Sequence, residues 1–172
     1  MTDLTRLYSD AGGEAGKLPP VETWHPAFCG DIDMRIAQDG TWFYNGSPIA
    51  RPAMVQLFAR ILRKEDGRYF LVTPVEKVGI TVEDAPFIAV EMTVAGDVLT
   101  FRTNVGDVVE ADGDHPLRFD VTEGFRPYLH VRHGLEARLS RQLAQDLAGM
   151  AEDDGAGLYI RLGAAIFRLP SL

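Results

Sequence analysis

"DIDMRIAQDGTWFYNGSPIARPAMVQLFARILRK", residues 31–64, carries two periodicities in succession, and how they are read decides the fold. From Asp31 to Ile36 charged and apolar residues alternate strictly, the period of a strand with one wet face and one buried face. Gln38-Asp39-Gly40 punctuates the run, because glycine accepts the positive φ of a tight hairpin, and a second strand is expected over 41–45. Asn45-Gly46-Ser47-Pro48 ends that strand. Arg51-Pro52 then opens a helix, since proline in the first turn forfeits no hydrogen bond. Met54, Val55, Leu57, Phe58, Ile61 and Leu62 recur at three- and four-residue spacing, which predicts a helix over 52–64 with that stripe buried. Glu65-Asp66-Gly67 stops the helix, and the β-prone run 69–74 returns along it as a strand.

Downstream, β-prone runs at 87–94, 98–103, 107–111 and 117–121 are separated by Gly- and Asp-rich turns, which predicts an antiparallel meander. A further strand is expected at 128–132, and a second helix from about 135 to 151, where Leu135, Leu139, Leu143 and Leu147 stack four apart. Residues 158–169, broken at Gly163-Ala164-Ala165, read as one bent strand or a short hairpin. The two halves align at an offset of 88, the separation of Gly46 from Gly134. Asp66-Gly67 then meets Asp154-Gly155, and Val55, Leu62, Phe70, Leu71 and Val72 meet Leu143, Met150, Leu158, Tyr159 and Ile160. Either the unit of strand, helix and returning strand is duplicated, or the match is the coincidence that any two such units give. The fold class expected is α+β, with two related modules of antiparallel strands each packed on one helix. Residues 1–20, rich in Gly and Pro between Ser9 and Pro20, are expected as a flexible tail that cannot offset the entropy of ordering it. Order is expected to begin near Trp24 and Phe28, with residues 21–84 forming the N-terminal module and 85–172 the C-terminal one.

An apolar fraction of 46% and a charged fraction of 24% over 172 residues are those of a globular protein, not of a disordered chain. The net charge of -8 opposes binding to phosphate backbones and anionic lipid, so neither nucleic acid nor membrane is an expected partner. One cysteine, Cys29, excludes an intrachain disulfide and a Cys-rich zinc site. With no secretory pattern and no apolar run of about 20 residues, the expected location is the cytoplasm.

Asp31, Asp33 and Arg35 share one strand face, and three readings stay open for them: solvated or internally paired charges, contact to a polar ligand, or acid/base chemistry. Arg35 favours the ionised carboxylate and competes with a cation for its oxygens, so no metal site is expected there. Cys29 lies four residues after His25, but Pro26 between them breaks any regular spacing, and a lone cysteine is more often core than nucleophile. Thr73-Pro74-Val75-Glu76-Lys77 reads as a strand-end loop, either plainly exposed or presenting Glu76 and Lys77 to a ligand. In this acidic chain Arg126, His130, Arg132, Arg138 and Arg141 gather as a candidate patch for an anion or an acidic partner surface, with pairing to the chain's own acids as the alternative.

Residues 30–62, from "GDIDMRI" through "RPAMVQLFARIL", and residues 69–87, "YFLVTPVEKVGITVEDAPF", resemble the bacterial proteins grouped as domain-of-unknown-function family 1285. The resemblance implies an α+β chain of two related modules, a signalling or small-molecule-responsive role, and no assigned reaction. It also implies where polar contacts gather: Asp31, Asp33, Arg35, Trp42, Tyr44, Arg51, Thr73, Glu76 and Lys77. The expected function is a regulatory or small-molecule-binding protein, without a cofactor, whose polar pocket lies between the modules and takes a small polar or anionic ligand; a protein partner is the other candidate. The alternative is a small enzyme using Asp33 or Glu76 as general base, with Arg35 or Lys77 holding an anionic substrate.

Overall fold

The computed structural model describes residues 4–12 and 17–171, and among them the chain forms three helices and fifteen strands, an α+β fold. It divides into two compact units, Met1–Asp84 and Ala85–Leu172. In the first unit β1 (Phe28–Ile36), β2 (Trp42–Tyr44) and β3 (Ser47–Pro48) form one antiparallel meander, and β4 (Leu62–Glu65), β5 (Arg68–Val72) and β6 (Lys77–Val82) form another. Helix α2 (Pro52–Arg60) connects them. The two meanders merge into a six-stranded sheet, β3-β2-β1-β6-β5-β4, because β1 and β6 pair in parallel. A parallel pair needs a long crossover, and the whole of β2 to β5 supplies it. The expectation of purely antiparallel modules is therefore corrected at this seam, which joins two strands 49 residues apart at Phe28 and Lys77 and leaves no local pattern.

The expected helix over 52–64 stops at Arg60, where the Ile61 N–H reaches back to the Phe58 carbonyl at 3.2 Å. Leu62 to Glu65 go into β4 instead. Asp66 and Gly67 have φ of 49° and 78°, the left-handed pair that closes a two-residue hairpin, so Leu62 pairs with Leu71 across it. Asp-Gly read as a helix stop was the hairpin signal itself. Leu57, expected on the buried stripe, is half-buried, whereas Phe58 is fully buried and stacks on Trp42 at 6.4 Å.

Where composition led to a tail over 1–20, α1 (Leu4–Ala11) buries Leu7 and Ala11 and packs on α2, so the first unit has two helices. Leu4, Leu7 and Ala11 supply the helical stripe that Gly and Pro downstream obscure. Residues 1–3 and 13–16 of that stretch lie outside the described residues. Val21, in a single 3-10 turn at Val21–Thr23, is buried, while Trp24 is half-buried and Phe28 is exposed, against the expectation for both aromatics.

The second unit begins with a meander of β7 (Phe87–Ala95), β8 (Val98–Thr103) and β9 (Val108–Glu110). A second meander follows, made of β10 (Leu117–Asp120), β11 (Arg126–Arg132) and β12 (Leu135–Leu139). Parallel pairing of β12 with β7 gives the order β10-β11-β12-β7-β8-β9, so of the four runs expected as one meander three stay adjacent and β10 lies at the far edge. The expected helix over 135–151 is also corrected: Leu135, Ala137 and Leu139 alternate inward on β12, and only α3 (Arg141–Ala148) is helical. His133 and Gly134, at φ 48° and 78°, make the hairpin that turns β11 into β12. Ser140 then starts the helix, its hydroxyl accepting the Leu143 N–H at 3.3 Å. A separate three-stranded sheet of β13 (Glu152–Asp153), β14 (Leu158–Leu162) and β15 (Ala165–Arg168) ends the unit, with the Gly163 break resolved as a hairpin. Among the described residues no helix is long and apolar enough to cross a membrane.

The helix face gives the first prediction. Phe58→Ala should cost about 3–5 kcal/mol, and Leu57→Ala about 1 kcal/mol, in urea unfolding of the two variants. Equal losses would show that the buried stripe of α2 is misassigned.

Candidate functional site

Several of the residues expected to contact a ligand in the first unit are engaged by other side chains or sit in the core. Asp31 accepts from Arg68 at 2.7 Å, across Gly79, where a Cβ would sit 1.9 Å from the Asp31 oxygen. The sheet tolerates this pair because position 79 has no side chain. Arg35 donates to Glu83 at 2.6 Å and lies 4.3 Å over the Phe43 ring, so its partner is Glu83 and not the neighbouring Asp33. Asp33 is exposed on β1. Trp42 is a core residue, Tyr44 is half-buried at the end of β2, and Arg51 is the exposed residue preceding α2. Thr73 is fully buried, its hydroxyl accepting the Val75 and Glu76 N–H groups at 3.3 and 3.0 Å, which makes it the brace of the turn into β6. Glu76 is buried in that same turn. Lys77 pairs with Glu65 and lies 4.3 Å over Phe70, while Glu65 also meets Arg63 at 2.5 Å. A small cleft of about 290 Å³ has Asp31, Arg68, Gly79 and Thr81 in its wall. Cys29, expected as core, is exposed.

The basic patch expected in the second unit separates into two places. Arg132 is held by Asp107 at 2.5 Å and lies 4.9 Å over Phe87, with its side chain 12% exposed, so it braces the sheet. His130 stacks on His115 at 5.9 Å, and its Nε2 accepts the Gly134 N–H at 3.0 Å. Arg126, Arg138 and Arg141 instead line one cleft of about 610 Å³. That volume falls within the roughly 300–1,000 Å³ typical of small-molecule sites.

The cleft follows from local sequence. Arg126 begins β11, Tyr128 lies opposite Arg138, and alternation puts all three on one sheet face. Arg118 lies 4.2 Å over Tyr128 and takes up Glu136 with two hydrogen bonds of 3.0 Å. Ser140 then sets the start of α3, whose residues Arg141, Ala144, Gln145 and Ala148 recur on one helical stripe along the cleft. Two alanines where a helix usually places larger groups leave the hollow. Pro127 and Leu139 add apolar wall, and the loop Glu123-Gly124-Phe125 forms the rim. This loop is firm: Asp120 accepts the Thr122 N–H and hydroxyl at 2.8 and 2.7 Å, and Phe125 stacks on Phe119 at 5.6 Å. The bonds to the Thr122 backbone and hydroxyl hold the Asp120 carboxyl below its ordinary range, and Arg126 and Arg118 add to that.

Electrostatically the cleft is lopsided. Its described lining holds three guanidiniums and one carboxylate, Glu123, which pairs with Arg126 and pushes its affinity for protons up. Arg141 stands in the first turn of α3, at the positive end of the helix dipole, with no acid in that turn. Among the described residues no Ser, Cys, His or Lys lines the cleft, whose described lining offers charge and apolar contact. Neither Asp33 nor Glu76 belongs to it. Among the described residues no three His, Cys, Asp or Glu side chains are grouped to hold a metal ion. Sequence reasoning found the three arginines by charge. It missed Glu123, which lies in the loop before β11, and it missed Ala144, Gln145 and Ala148, for which a Ser140 cap recognised in "RLSRQLAQDLA" would have given the helix stripe.

Comparison with known proteins bears on the whole chain. The model described as "Domain of unknown function (DUF1285), N-terminal domain" matches residues 19–85, and "Protein of unknown function (DUF1285), C-terminal domain" matches 86–169. A crystal structure of a DUF1285 family protein from Silicibacter pomeroyi is similar with 45% identity and a TM-score of 0.88, covering 98% of this chain and 95% of that one. Another from Shewanella baltica is similar with 31% identity and a TM-score of 0.56, covering 67% of this chain and 90% of that one. No curated protein matches.

The charged face of the first unit yields a pH prediction. The hydrogen bond from Lys77, followed by the nearby Arg63 charge, holds the folded Glu65 carboxyl below its ordinary value of 4.5. A lowered folded value means that the contribution is complete above 4.5 and is lost as the pH falls through the folded value. Thermal unfolding of the parent and of Glu65→Gln should therefore differ at neutral pH, and the gap should close as the pH is taken down from 4.5. A gap that persists into acid would show that Glu65 stabilises by packing and not by charge.

Proposed function

The chain belongs to the DUF1285 family, and we propose that it is a noncatalytic regulatory protein whose C-terminal unit binds a small organic anion in the cleft of Arg126, Arg138 and Arg141. The observation that carries this reading is the combination of three guanidiniums with one carboxylate in a concave site of about 610 Å³. In a chain with net charge -8, such a local gathering of guanidiniums sets up a field that attracts an anion. Arg141 sharpens the argument, because its position at the start of α3 opposes the helix dipole. Planar guanidiniums suit a carboxylate or phosphate through paired hydrogen bonds. The walls of Pro127, Leu139, Ala144 and Ala148 suit an apolar body attached to that anionic group. The one carboxylate of the described lining, Glu123, is tied to Arg126, which favours binding over turnover.

Two variants test the reading. Calorimetric titration of the full chain with a panel of organic acids should find a ligand that also raises the thermal midpoint. Arg141→Gln should weaken its binding about 10- to 100-fold, the loss of a hydrogen bond to a charged group. Ala148→Phe, at an exposed position, should fill the hollow and abolish binding while leaving the unfolding midpoint unchanged. Binding that survives both substitutions would place the ligand elsewhere.

A further inference from the structure

The Glu123–Arg126 pair resembles, in miniature, the complex that the cleft is built to make. Resting on the anion-binding reading above, we propose that Glu123 is a built-in competitor: its carboxylate occupies the Arg126 guanidinium in the unliganded protein, and the carboxylate of an incoming organic acid displaces it. The two partners differ in how firmly they are held. The Arg126 side chain is 27% exposed and set into the wall at the start of β11, whereas the Glu123 side chain is 79% exposed. The guanidinium therefore stays when the pair opens, and the glutamate swings into water. The backbone beneath it is fixed on both sides, by the Asp120 bonds to Thr122 and by the stacking of Phe125 on Phe119. Gly124 lets the rim turn sharply, at a φ of 102° that other residues rarely adopt. Displacement is thus a rotation of one side chain, not a loop movement.

The exchange also narrows the ligand class. Glu123 presents one carboxylate to Arg126 from solvent, and a ligand replacing it brings one carboxylate together with an apolar body that reaches Ala144 and Ala148. An inorganic anion makes the first contact and leaves the apolar floor uncovered, so the site favours a monocarboxylate with a short apolar chain or ring. An exposed ion pair is worth a factor of about 2 to 5 in an equilibrium, and that factor is the penalty Glu123 imposes on every ligand.

The probes are hexanoate and inorganic phosphate, titrated calorimetrically into the full chain, into Glu123→Gln, and into Asp146→Asn as a control that removes a negative charge from α3 outside the cleft lining. Hexanoate should bind the parent, bind Glu123→Gln about 2- to 5-fold tighter, and bind Asp146→Asn with little change; phosphate should bind all three more weakly than hexanoate does. Equal gains in the two variants would reduce Glu123 to a distant charge and overturn the displacement. Binding of hexanoate with no gain in Glu123→Gln would overturn it while leaving the anion cleft standing. Phosphate binding tighter than hexanoate would overturn the ligand class. If hexanoate binds neither the parent nor Glu123→Gln, the displacement is overturned, and the acid panel with Arg141→Gln then decides whether the anion cleft itself stands.

Discussion

The parallel seam between β1 and β6 is the pairing on which the first unit rests. Each of its two meanders has only three strands, and one of them ends in a strand of two residues. Such pieces have too little apolar surface to be stable alone. Joined along β1 and β6 they become a six-stranded sheet that buries Met34, Ile36, Leu71 and Val78. The seam is irregular: its register shifts twice between Phe28 and Arg35, beside Gly30 at a φ of 101°. That irregularity is what lets Asp31 reach over Gly79 to Arg68. The second unit solves the same problem in the same way: β7, its first strand, pairs in parallel with β12, the last strand of its second meander, and β13 to β15 form a sheet of their own.

The two units repeat one topology, β1 to β6 in the first and β7 to β12 in the second, but the offset of 88 does not register it. Gly46 turns β2 into β3 whereas Gly134 turns β11 into β12, and α2 stands between the two meanders of its unit whereas α3 follows both of its own, so that alignment matched local punctuation and not equivalent strands. The candidate site does not repeat. By place in the sheet β11 matches β5 and β12 matches β6, so Arg126 at the start of β11 matches Arg68 at the start of β5. Helix α3, which brings Arg141 to the cleft, follows β12, and no helix follows β6, so the wall that closes the cleft belongs to one unit.

Most of the charged residues that stand out in the sequence serve the fold's surface. Arg35 with Glu83, Arg68 with Asp31, Arg118 with Glu136 and Arg132 with Asp107 each tie one strand to another segment, and several guanidiniums also cover an aromatic ring. The exposed ones, such as Arg35 with Glu83 and Arg68 with Asp31, contribute little each, about 0 to 1 kcal/mol, whereas the Arg132–Asp107 pair is largely buried. They consume the candidates nonetheless, because a carboxylate already engaged by a guanidinium offers little to a ligand. The cleft of the second unit differs in that cations exceed acids within one concavity.

The sequence by itself determined the α+β class, the first hairpin, the start of α2 at Pro52 and the three arginines of the cleft. All of these are encoded in neighbours: alternation, a glycine at a turn, a proline in a first turn, a run of charge. It could not distinguish a helix from a hairpin where Leu62 and Leu139 satisfy either period, because Asp-Gly or His-Gly ends one element as readily as it turns another. Only the tertiary structure decided those cases, since Leu62 gains Leu71 across β4 and β5, and Ala137 gains Phe87 across the second seam. The same holds for the site. Glu123 and Ala148 are 25 positions apart, and the hollow between them exists because Ser140 turns a strand into a helix and lays that helix against β12 and β7. Which strands lie side by side in parallel, and so which side chains share a cleft, depends on closing long loops around a common core, a cost and a gain that no local stretch of residues records.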